Sequence, residues 1–147
     1  MKVYVCQVCG FISINGKAPG KCPVCGAPET SFMEKEGAIK IPLDSNNLTD
    51  PEKKHVPVIL VKKECGLIPG GCTDVNVKIG QIIHPMEDSH SIVHIDFYLD
   101  KEYISRVMFT PGTLNPAAGI HLKVSKGRLS VIELCNLHGA WMGEVNL

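Results

Sequence analysis

The sequence predicts an all-β protein in two parts, a small N-terminal segment held together by cysteines and a β-sandwich that fills the rest of the 147 residues. Residues 1–35 contain four cysteines and few aliphatic residues, too few for an ordinary hydrophobic core. From about residue 52, short stretches of alternating apolar and polar residues are separated by Gly, Pro, Asn and Asp, as strands and turns are. No long stretch has the apolar period of a helix.

The overall composition excludes several classes of protein. Lysine plus arginine number 15, equal to aspartate plus glutamate, so no basic surface for nucleic acid or acidic membranes is expected. The N-terminus lacks the apolar segment of a signal peptide, and no apolar run approaches the roughly 18 residues that span a bilayer. We therefore expect a soluble cytoplasmic protein. In such a reducing compartment, its seven cysteines are more often metal ligands than disulfides.

Two C-x2-C pairs, "CQVCG" and "CPVCG", predict a metal site in the N-terminal segment. Each pair places two thiolates on one side of a tight turn, and a glycine follows where the turn favours positive φ. Two such turns complete a tetrahedron, for which zinc and iron are equally suitable. A structural zinc ribbon is therefore one alternative. The predicted ligands are Cys6, Cys9, Cys22 and Cys25.

The residues around these cysteines resemble a known module. "YVCQVCGF" and "CPVCGAPETSF" are similar to rubredoxin, particularly the shortened rubredoxin-like domain of rubrerythrin, and Tyr4, Phe11 and Phe32 match its aromatic positions. The resemblance implies one iron held by four thiolates that transfers a single electron, and we favour iron over zinc. Residues 1–35 are predicted to form this domain, and the polar, turn-rich residues 36–51 a linker.

Four stretches in residues 52–147 alternate as strands of a sandwich do: "DVNVKI", "SIVHIDFYL", "GIHLKV" and "RLSVIEL". In the second, one side is apolar from Val93 to Leu99, and the other side carries His94, Asp96 and Tyr98. Several short strands joined by turns over about 95 residues predict an all-β sandwich.

The stretch "CNLHGAWM" places Cys135, His138 and Met142 within a few residues. Together with one upstream histidine they match the ligand set of blue copper. A Cys–His nucleophile is a weaker alternative, because no orienting partner or oxyanion loop is apparent. Two core residues without chemistry are a further possibility. Histidines in "KKHVPV" and "HPMEDSH", namely His55, His84 and His90, favour instead a nitrogen-rich metal site with one thiolate.

"KHVPV", "HPMEDSHSI" and "CNLHGAW" resemble the three ligand motifs of the superoxide reductase family, which includes desulfoferrodoxin and neelaredoxin, and they occur in the family's order. The resemblance covers residues 52–147 and implies an immunoglobulin-like sandwich. It also implies an iron with an open position opposite Cys135, one-electron reduction of superoxide to hydrogen peroxide, and a homo-oligomer, most simply a dimer. A rubredoxin or a flavin-linked reductase is the expected electron donor. The equatorial ligands of the iron would be His55, His84, His90 and His138. The copper alternative leaves two of the motifs unexplained, and the competing function is an electron carrier without turnover.

The sequence departs from the family pattern before "HVP", where a glutamate and a lysine are common. Lys54 matches the lysine, which the resemblance implies attracts superoxide, but Lys53 occupies the glutamate position and Glu52 lies one residue further away. In "ECGLIPGGC", we interpret Cys65 and Cys72 as free thiols, with a disulfide or a redox-sensitive pair as alternatives. His94 and His121 are expected to be surface or half-buried residues that do not bind the metal.

Overall fold

The computed structural model describes residues 1–147 and contains eleven strands and one short α-helix, with a single 3-10 turn at Glu29–Ser31. None of its helices has the length and apolar character required to cross a bilayer. The elements are β1 (Lys2–Cys6), β2 (Ile12–Ser13), β3 (Phe32–Glu36), β4 (Ile39–Lys40), α1 (Asp50–His55), β5 (Pro57–Lys62), β6 (Thr73–Ile79), β7 (Ile92–Leu99), β8 (Glu102–Met108), β9 (Ala117–Leu122), β10 (Arg128–Cys135) and β11 (Gly139–Asn146).

The N-terminal module is a three-stranded antiparallel sheet, in the order β2-β1-β3, that carries two cysteine turns. In each turn a glycine N–H donates to the carbonyl of the first cysteine, from Gly10 to Cys6 at 3.0 Å and from Gly26 to Cys22 at 2.9 Å. Both glycines have positive φ, +76° and +78°, which a side chain would strain. The turns are therefore closed by the glycines that the sequence places there.

The remainder is a β-sandwich, as predicted. A five-stranded sheet in the order β4-β11-β10-β7-β8 packs against a three-stranded sheet in the order β5-β6-β9. All four strands predicted from alternation are present, as β6, β7, β9 and β10. Their inward side chains form one buried cluster between the sheets, which includes Val75, Val77, Ile79, Ile95, Phe97, Leu129 and Val131.

Strand β7 is buried on both faces, because the N-terminal module covers the outer face of the five-stranded sheet. A second apolar cluster joins Val3 and Phe11 of the module to Tyr98 and Ile132 of the sheet. The Tyr98 hydroxyl donates to the Ile12 carbonyl at 2.7 Å. The expectation that His94 is a surface or half-buried residue is therefore wrong: its exposed fraction is 4%.

The region predicted as a linker, residues 36–51, contains regular structure. Strand β4 adds to the edge of β11 in parallel, with Ile39 opposite Ala140 and Lys40 opposite Trp141. The first residues of α1 follow in the same region. The sequence between the module and the sandwich thus contributes an edge strand to the sandwich sheet.

A disulfide joins Cys65 and Cys72, with 5.2 Å between their Cα atoms, so the interpretation as free thiols is wrong. Both cysteines lie in the loop between β5 and β6, which pair in antiparallel fashion from Pro57↔Ile79 to Lys62↔Asp74. Because the strand ends are neighbours, the loop returns on itself and brings its two ends together.

Candidate metal centres

Four imidazole rings form a closed ring at one end of the sandwich. Adjacent rings have centroids 4.6–5.0 Å apart and stand nearly perpendicular, with interplanar angles of 68–82°. The order around the ring is His55, His84, His90, His138. Edge-to-face imidazoles in a square leave their nitrogens free to face a common centre.

The hydrogen bonds of the rings identify which nitrogens face inward. His55 Nδ1 lies 2.8 Å from the Pro51 carbonyl and His84 Nδ1 lies 2.7 Å from the Pro85 carbonyl, so Nε2 is the atom of each that is left to face the other rings. The Nε2 atoms of His84 and His90 are buried and have no hydrogen-bond partner. Buried polar nitrogens without partners are costly unless something binds them, and a metal ion is the usual solution.

Cys135 and His138 complete the donor set. His138 Nδ1 lies 3.2 Å from His55 Nε2 and 3.6 Å from Cys135 Sγ. The donor atoms of His55, His90, Cys135 and His138 all lie within 4.8 Å of one another. Four imidazoles and one thiolate fit a transition metal of borderline softness, such as ferrous iron.

Each ligand is positioned by a short local feature. His55 ends α1, whose N-terminus has a capping box in which the Glu52 carboxylate accepts from the Thr49 N–H at 2.7 Å. His84 and His90 lie within the β6–β7 loop, in which a bridge joins Glu87 to His90. Because Cys135 ends β10 and His138 lies in the tight turn into β11, all of these residues meet at one end of the sandwich.

Burial affects the ionisation of the donors in the way that metal binding requires. It lowers the pKa of His55, and it lowers the pKa of His84 to about 4, so both imidazoles are neutral at physiological pH. Burial also raises the pKa of the Cys135 thiol, against backbone hydrogen bonds from Leu137 and His138 that lower it. Neutral imidazoles are ready ligands, whereas the thiol must lose its proton when a metal binds.

The ring opens on one side to a cavity of about 490 Å³. Cys135 is buried and does not line this cavity, so its sulfur reaches the centre from the protein interior. Two cations line it, Lys54 and Lys40. The sequence did not mark Lys40 as a site residue, because it lies in the predicted linker. The lining residues are Lys40, Asp50, Pro51, Lys54, His55, His90, His138 and Trp141.

Lys40 and Trp141 support the ring from the side of β11. Lys40 Nζ donates to the His138 carbonyl at 2.7 Å and lies 4.9 Å from the centroid of the Trp141 ring. The indole stacks on His55, with centroids 4.8 Å apart and an interplanar angle of 17°. Parallel pairing of β4 with β11 therefore places a cation against the backbone of one ligand, His138, and against the indole that stacks on another, His55. The sequence carries no motif that marks this contact.

The second centre is the four-cysteine site of the N-terminal module, where the four sulfurs lie within 4.8 Å of one another. Two of the sulfur pairs, Cys6–Cys25 and Cys9–Cys22, are 3.7 and 3.6 Å apart. Burial alone raises the pKa of Cys6, but backbone hydrogen bonds from Cys9 and Val8 lower it to about 7. The site thus favours thiolate at its first cysteine and suits a tetrahedral ion.

The two centres are connected through the interface between the module and the sheet. A Cβ atom placed on Gly10, next to Cys9, would lie 3.9 Å from a methyl carbon of Leu134 and 3.8 Å from the His94 ring. Leu134 directly precedes Cys135 in β10. Packed atoms therefore run from one candidate centre to the neighbour of the thiol in the other.

Comparison with known proteins agrees with this arrangement. Residues 47–144 match the family described as Desulfoferrodoxin, which covers more than half of the chain. The chain belongs to the desulfoferrodoxin family. Residues 4–33 match the rubredoxin-like domain of rubrerythrin, so this desulfoferrodoxin relative carries a rubredoxin-like N-terminal domain, as the resemblance implied.

The relatives of this desulfoferrodoxin-family chain include proteins of similar length and shorter proteins. The chain is 32% identical over 146 residues to a desulfoferrodoxin of Syntrophotalea carbinolica, covering 98% of this chain and 96% of the relative. It is 36% identical to a superoxide reductase of Pyrococcus horikoshii, covering 65% of this chain and 88% of the relative. The solved superoxide reductase (neelaredoxin) of Ignicoccus hospitalis superposes with a TM-score of 0.60 at 28% identity, covering 75% of this chain and 94% of that one.

The structure places Met142 away from the histidine ring. Its side chain is buried in the cluster that joins the sandwich sheet to the N-terminal module, beside Ile132 and Ala140. A copper site of the kind considered from the sequence would require this thioether close to Cys135 and His138. The donors that converge are instead the four imidazoles and the one thiol of the iron alternative.

Proposed function

We propose that this chain is a superoxide reductase, which reduces superoxide to hydrogen peroxide at an iron held by His55, His84, His90, His138 and Cys135. The observation that carries the proposal is the ring of four perpendicular imidazoles, with Cys135 on its buried side and two lysines on its open side. A ferrous ion held by these residues would supply the one electron that, with two protons, converts superoxide to hydrogen peroxide.

The open side of the ring attracts and admits the substrate. Superoxide is a small anion, and Lys54 and Lys40, together with Asp50, line the cavity onto which the ring opens. Cations on the wall of a cleft raise the local concentration of an anion and its rate of encounter. We assign Lys54 the catalytic role of drawing superoxide to the centre.

The buried side of the ring sets the electronic character of the centre. Cys135 is 2% exposed, and its thiolate donates electron density to the centre, as cysteine ligands do in haem enzymes. The backbone N–H groups of Leu137 and His138 favour its thiolate form, which lowers the pKa of the thiol against the effect of burial. Glu52, the nearest match to the family's glutamate, caps α1 through Thr49, and this contact keeps its carboxylate at the helix N-terminus.

The four-cysteine module serves, in this proposal, as an electron-transfer site that contains iron. The packing of Leu134, the residue before Cys135, against the apolar cluster that contains Cys6 and Cys22 supports electron delivery to the Cys135 side of the ring. An external donor, such as a rubredoxin or a flavin-linked reductase, would reduce the module first. The exposed Cys25 offers the side of the module from which that electron can enter.

The proposal is tested on protein purified without oxygen, by metal analysis and by the yield of peroxide from a known amount of superoxide. A reductase supplied with electrons forms peroxide in an amount equal to the superoxide consumed, whereas a dismutase forms half as much. His90→Ala should abolish the reaction. It should also abolish the visible absorption band that a bond between the Cys135 thiolate and Fe(III) would give in the oxidised protein. His121→Ala, outside the ring, is the matched control and should retain both.

Two results would contradict the proposal. Copper bound by the histidines, or iron that cycles between oxidation states without consuming superoxide, would make the chain an electron carrier. Zinc in the four-cysteine site would leave the reductase proposal intact and remove only the electron-transfer role of the module.

A further inference from the structure

A third cluster of metal-binding side chains lies on the three-stranded sheet and belongs to neither of the centres described above. It contains Cys65 and Cys72 from the β5–β6 loop and His121 from β9, and Asp74 from β6 lies beside His121. None of its side chains is fully buried, so solutes reach it from solvent. The proposed reduction of superoxide makes no use of it.

The other three side chains of the cluster all approach one atom, His121 Nδ1. This nitrogen lies 3.3 Å from Cys65 Sγ, 3.4 Å from Cys72 Sγ and 3.7 Å from Asp74 Oδ1. A tetrahedral zinc ion, with bonds of about 2.3 Å to sulfur and about 2.0 Å to nitrogen, requires an edge of about 3.5 Å between those two ligands. The two sulfur–nitrogen edges that meet at His121 therefore already have about the length of those in a zinc tetrahedron.

The sheet holds the non-cysteine half of the cluster in position. Asp74 and His121 are directly opposite each other in the antiparallel pair β6–β9. Thr73, the neighbour of Asp74, donates its hydroxyl to the Val124 carbonyl at 2.7 Å, which fixes the end of this strand. The imidazole and the carboxylate are thus preorganised by backbone pairing.

The cysteine half lies on a loop that has room to adjust. Gly70 and Gly71 adopt positive φ, and no atom lies within 4 Å of where their Cβ atoms would be. For a metal to enter, the disulfide that joins the two sulfurs must open. The Asp74 carboxylate, which lies beside His121 but not within 4.8 Å of all three other donors, must turn toward them. In the four-cysteine site of the same chain, the corresponding sulfur–sulfur separations are 3.6 and 3.7 Å.

We propose that Cys65, Cys72, His121 and Asp74 form a zinc site that is present when the two cysteines are reduced and absent when they form the disulfide. A dithiol reductant supplies two electrons and two protons to break the S–S bond, and both thiols release their protons when Zn²⁺ binds. Two thiolates, one imidazole and one carboxylate are a donor set that zinc accepts in tetrahedral geometry.

The reverse step releases the metal. Hydrogen peroxide accepts two electrons from the zinc-bound thiolates, the S–S bond forms, the O–O bond breaks, and the products are the disulfide, Zn²⁺ and two hydroxide ions. Peroxide is also the product of the proposed reductase reaction, so this source of oxidant rests on the proposed function. The site itself does not, because added peroxide serves equally well.

The test measures zinc bound per chain in full-length protein whose other centres are loaded. After treatment with a dithiol reductant and removal of the excess, the wild-type chain should bind one more Zn²⁺ than Cys65→Ser/Cys72→Ser. Co²⁺ in place of zinc should give the visible absorption of a tetrahedral thiolate site in wild type alone. Addition of peroxide should release this extra metal and restore the disulfide.

A matched pair of carboxylate variants tests the fourth ligand. Asp74→Asn should weaken zinc binding to the reduced chain by at least about tenfold. Glu64→Gln makes the same chemical change at an exposed carboxylate beside Cys65 and should leave the affinity unchanged.

Three results would overturn the proposal. The first is equal zinc in reduced wild type and the double serine variant, with both thiols shown to be free. The second is extra zinc that stays bound after the disulfide forms. The third is a disulfide that excess dithiol does not reduce. None of these results depends on superoxide activity, so they are distinguishable from failure of the proposed function.

Discussion

Arg106 Nη1 donates a hydrogen bond to the carbonyl oxygen of Cys9 at 2.9 Å, so a cation of the sandwich holds the backbone of one cysteine of the four-cysteine site. The same guanidinium binds both oxygens of Asp96, at 2.6 and 2.7 Å. All three groups lie at the interface between the module and the five-stranded sheet. This buried ion pair therefore joins the two parts of the chain.

Arg106→Ala should lower the free energy of unfolding by about 3–5 kcal/mol, because it leaves the Asp96 carboxylate buried without its partner. Arg128→Ala is the matched control, since Arg128 pairs with Glu144 at 2.8 Å on the surface and should cost at most about 1 kcal/mol. Urea unfolding of the metal-loaded protein measures both. If both variants lost the same free energy of unfolding, the buried pair at the interface would stabilise the protein no more than the surface pair does.

His94 should make stability depend on pH below neutrality. Burial lowers its pKa to about 4, and although Asp96 raises the pKa, Arg106 opposes that effect. The unfolded chain, with an ordinary histidine pKa of about 6.5, binds the proton first as pH falls, so stability decreases between about pH 6.5 and 4. His94→Gln should remove up to about 3 kcal/mol of this decrease. The measurement is the unfolding free energy at several pH values, and parallel curves for the two proteins would contradict it.

Local patterns in the sequence were sufficient for much of the fold. Alternation of apolar residues predicted β6, β7, β9 and β10, because side chains of a strand alternate between faces whatever surrounds it. The C-x2-C pairs predicted the cysteine turns because each turn is formed by residues that are close together in the sequence. The ligand motifs were identified through resemblance, and the structure brings all of those residues together.

Features that depend on packing between distant segments could not be predicted. His94 was expected near the surface, because nothing in the alternation of β7 shows that the N-terminal module covers its second face. Lys40 was assigned to a linker, because only its pairing with Trp141 places it at the histidine ring. Cys65 and Cys72 were interpreted as free thiols from the cellular compartment, whereas the return of the loop determines their contact.

Gly80 should tolerate no side chain, because it lies against the end of α1 that carries Lys54 and His55. It has a φ of +85°, and a Cβ atom there would lie 2.7 Å from the Lys54 carbonyl and 2.9 Å from that of Lys53. Gly80→Ala should therefore cost roughly 3 kcal/mol or more, the sum of left-handed strain and overpacking. It should also weaken metal binding at His55.

Gly112→Ala separates the two contributions. Gly112 also has positive φ, +75°, but no atom lies within 4 Å of its Cβ position, so only the strain of about 1–2 kcal/mol is expected. Unfolding free energies and iron content of both variants provide the comparison. If Gly80→Ala lost no more stability and no more iron than Gly112→Ala, the close approach of Gly80 to α1 would not be needed to position His55.

Lys40 and Lys54 should both increase the rate of reaction with superoxide, but through different contacts. Both line the open cavity, and only Lys40 also donates to the His138 carbonyl. Lys54→Ala should slow the bimolecular reaction by up to roughly tenfold at low ionic strength, and added salt should narrow the difference, because a long-range field is screened.

Lys40→Ala should slow the reaction with superoxide similarly and also change the visible spectrum of the oxidised protein, since the turn that carries His138 loses its support. Lys35→Ala, on exposed β3 of the module, is the charge-matched control and should leave rate and spectrum unchanged. A Lys40→Ala protein with wild-type kinetics and spectrum would limit the attraction of the substrate to Lys54.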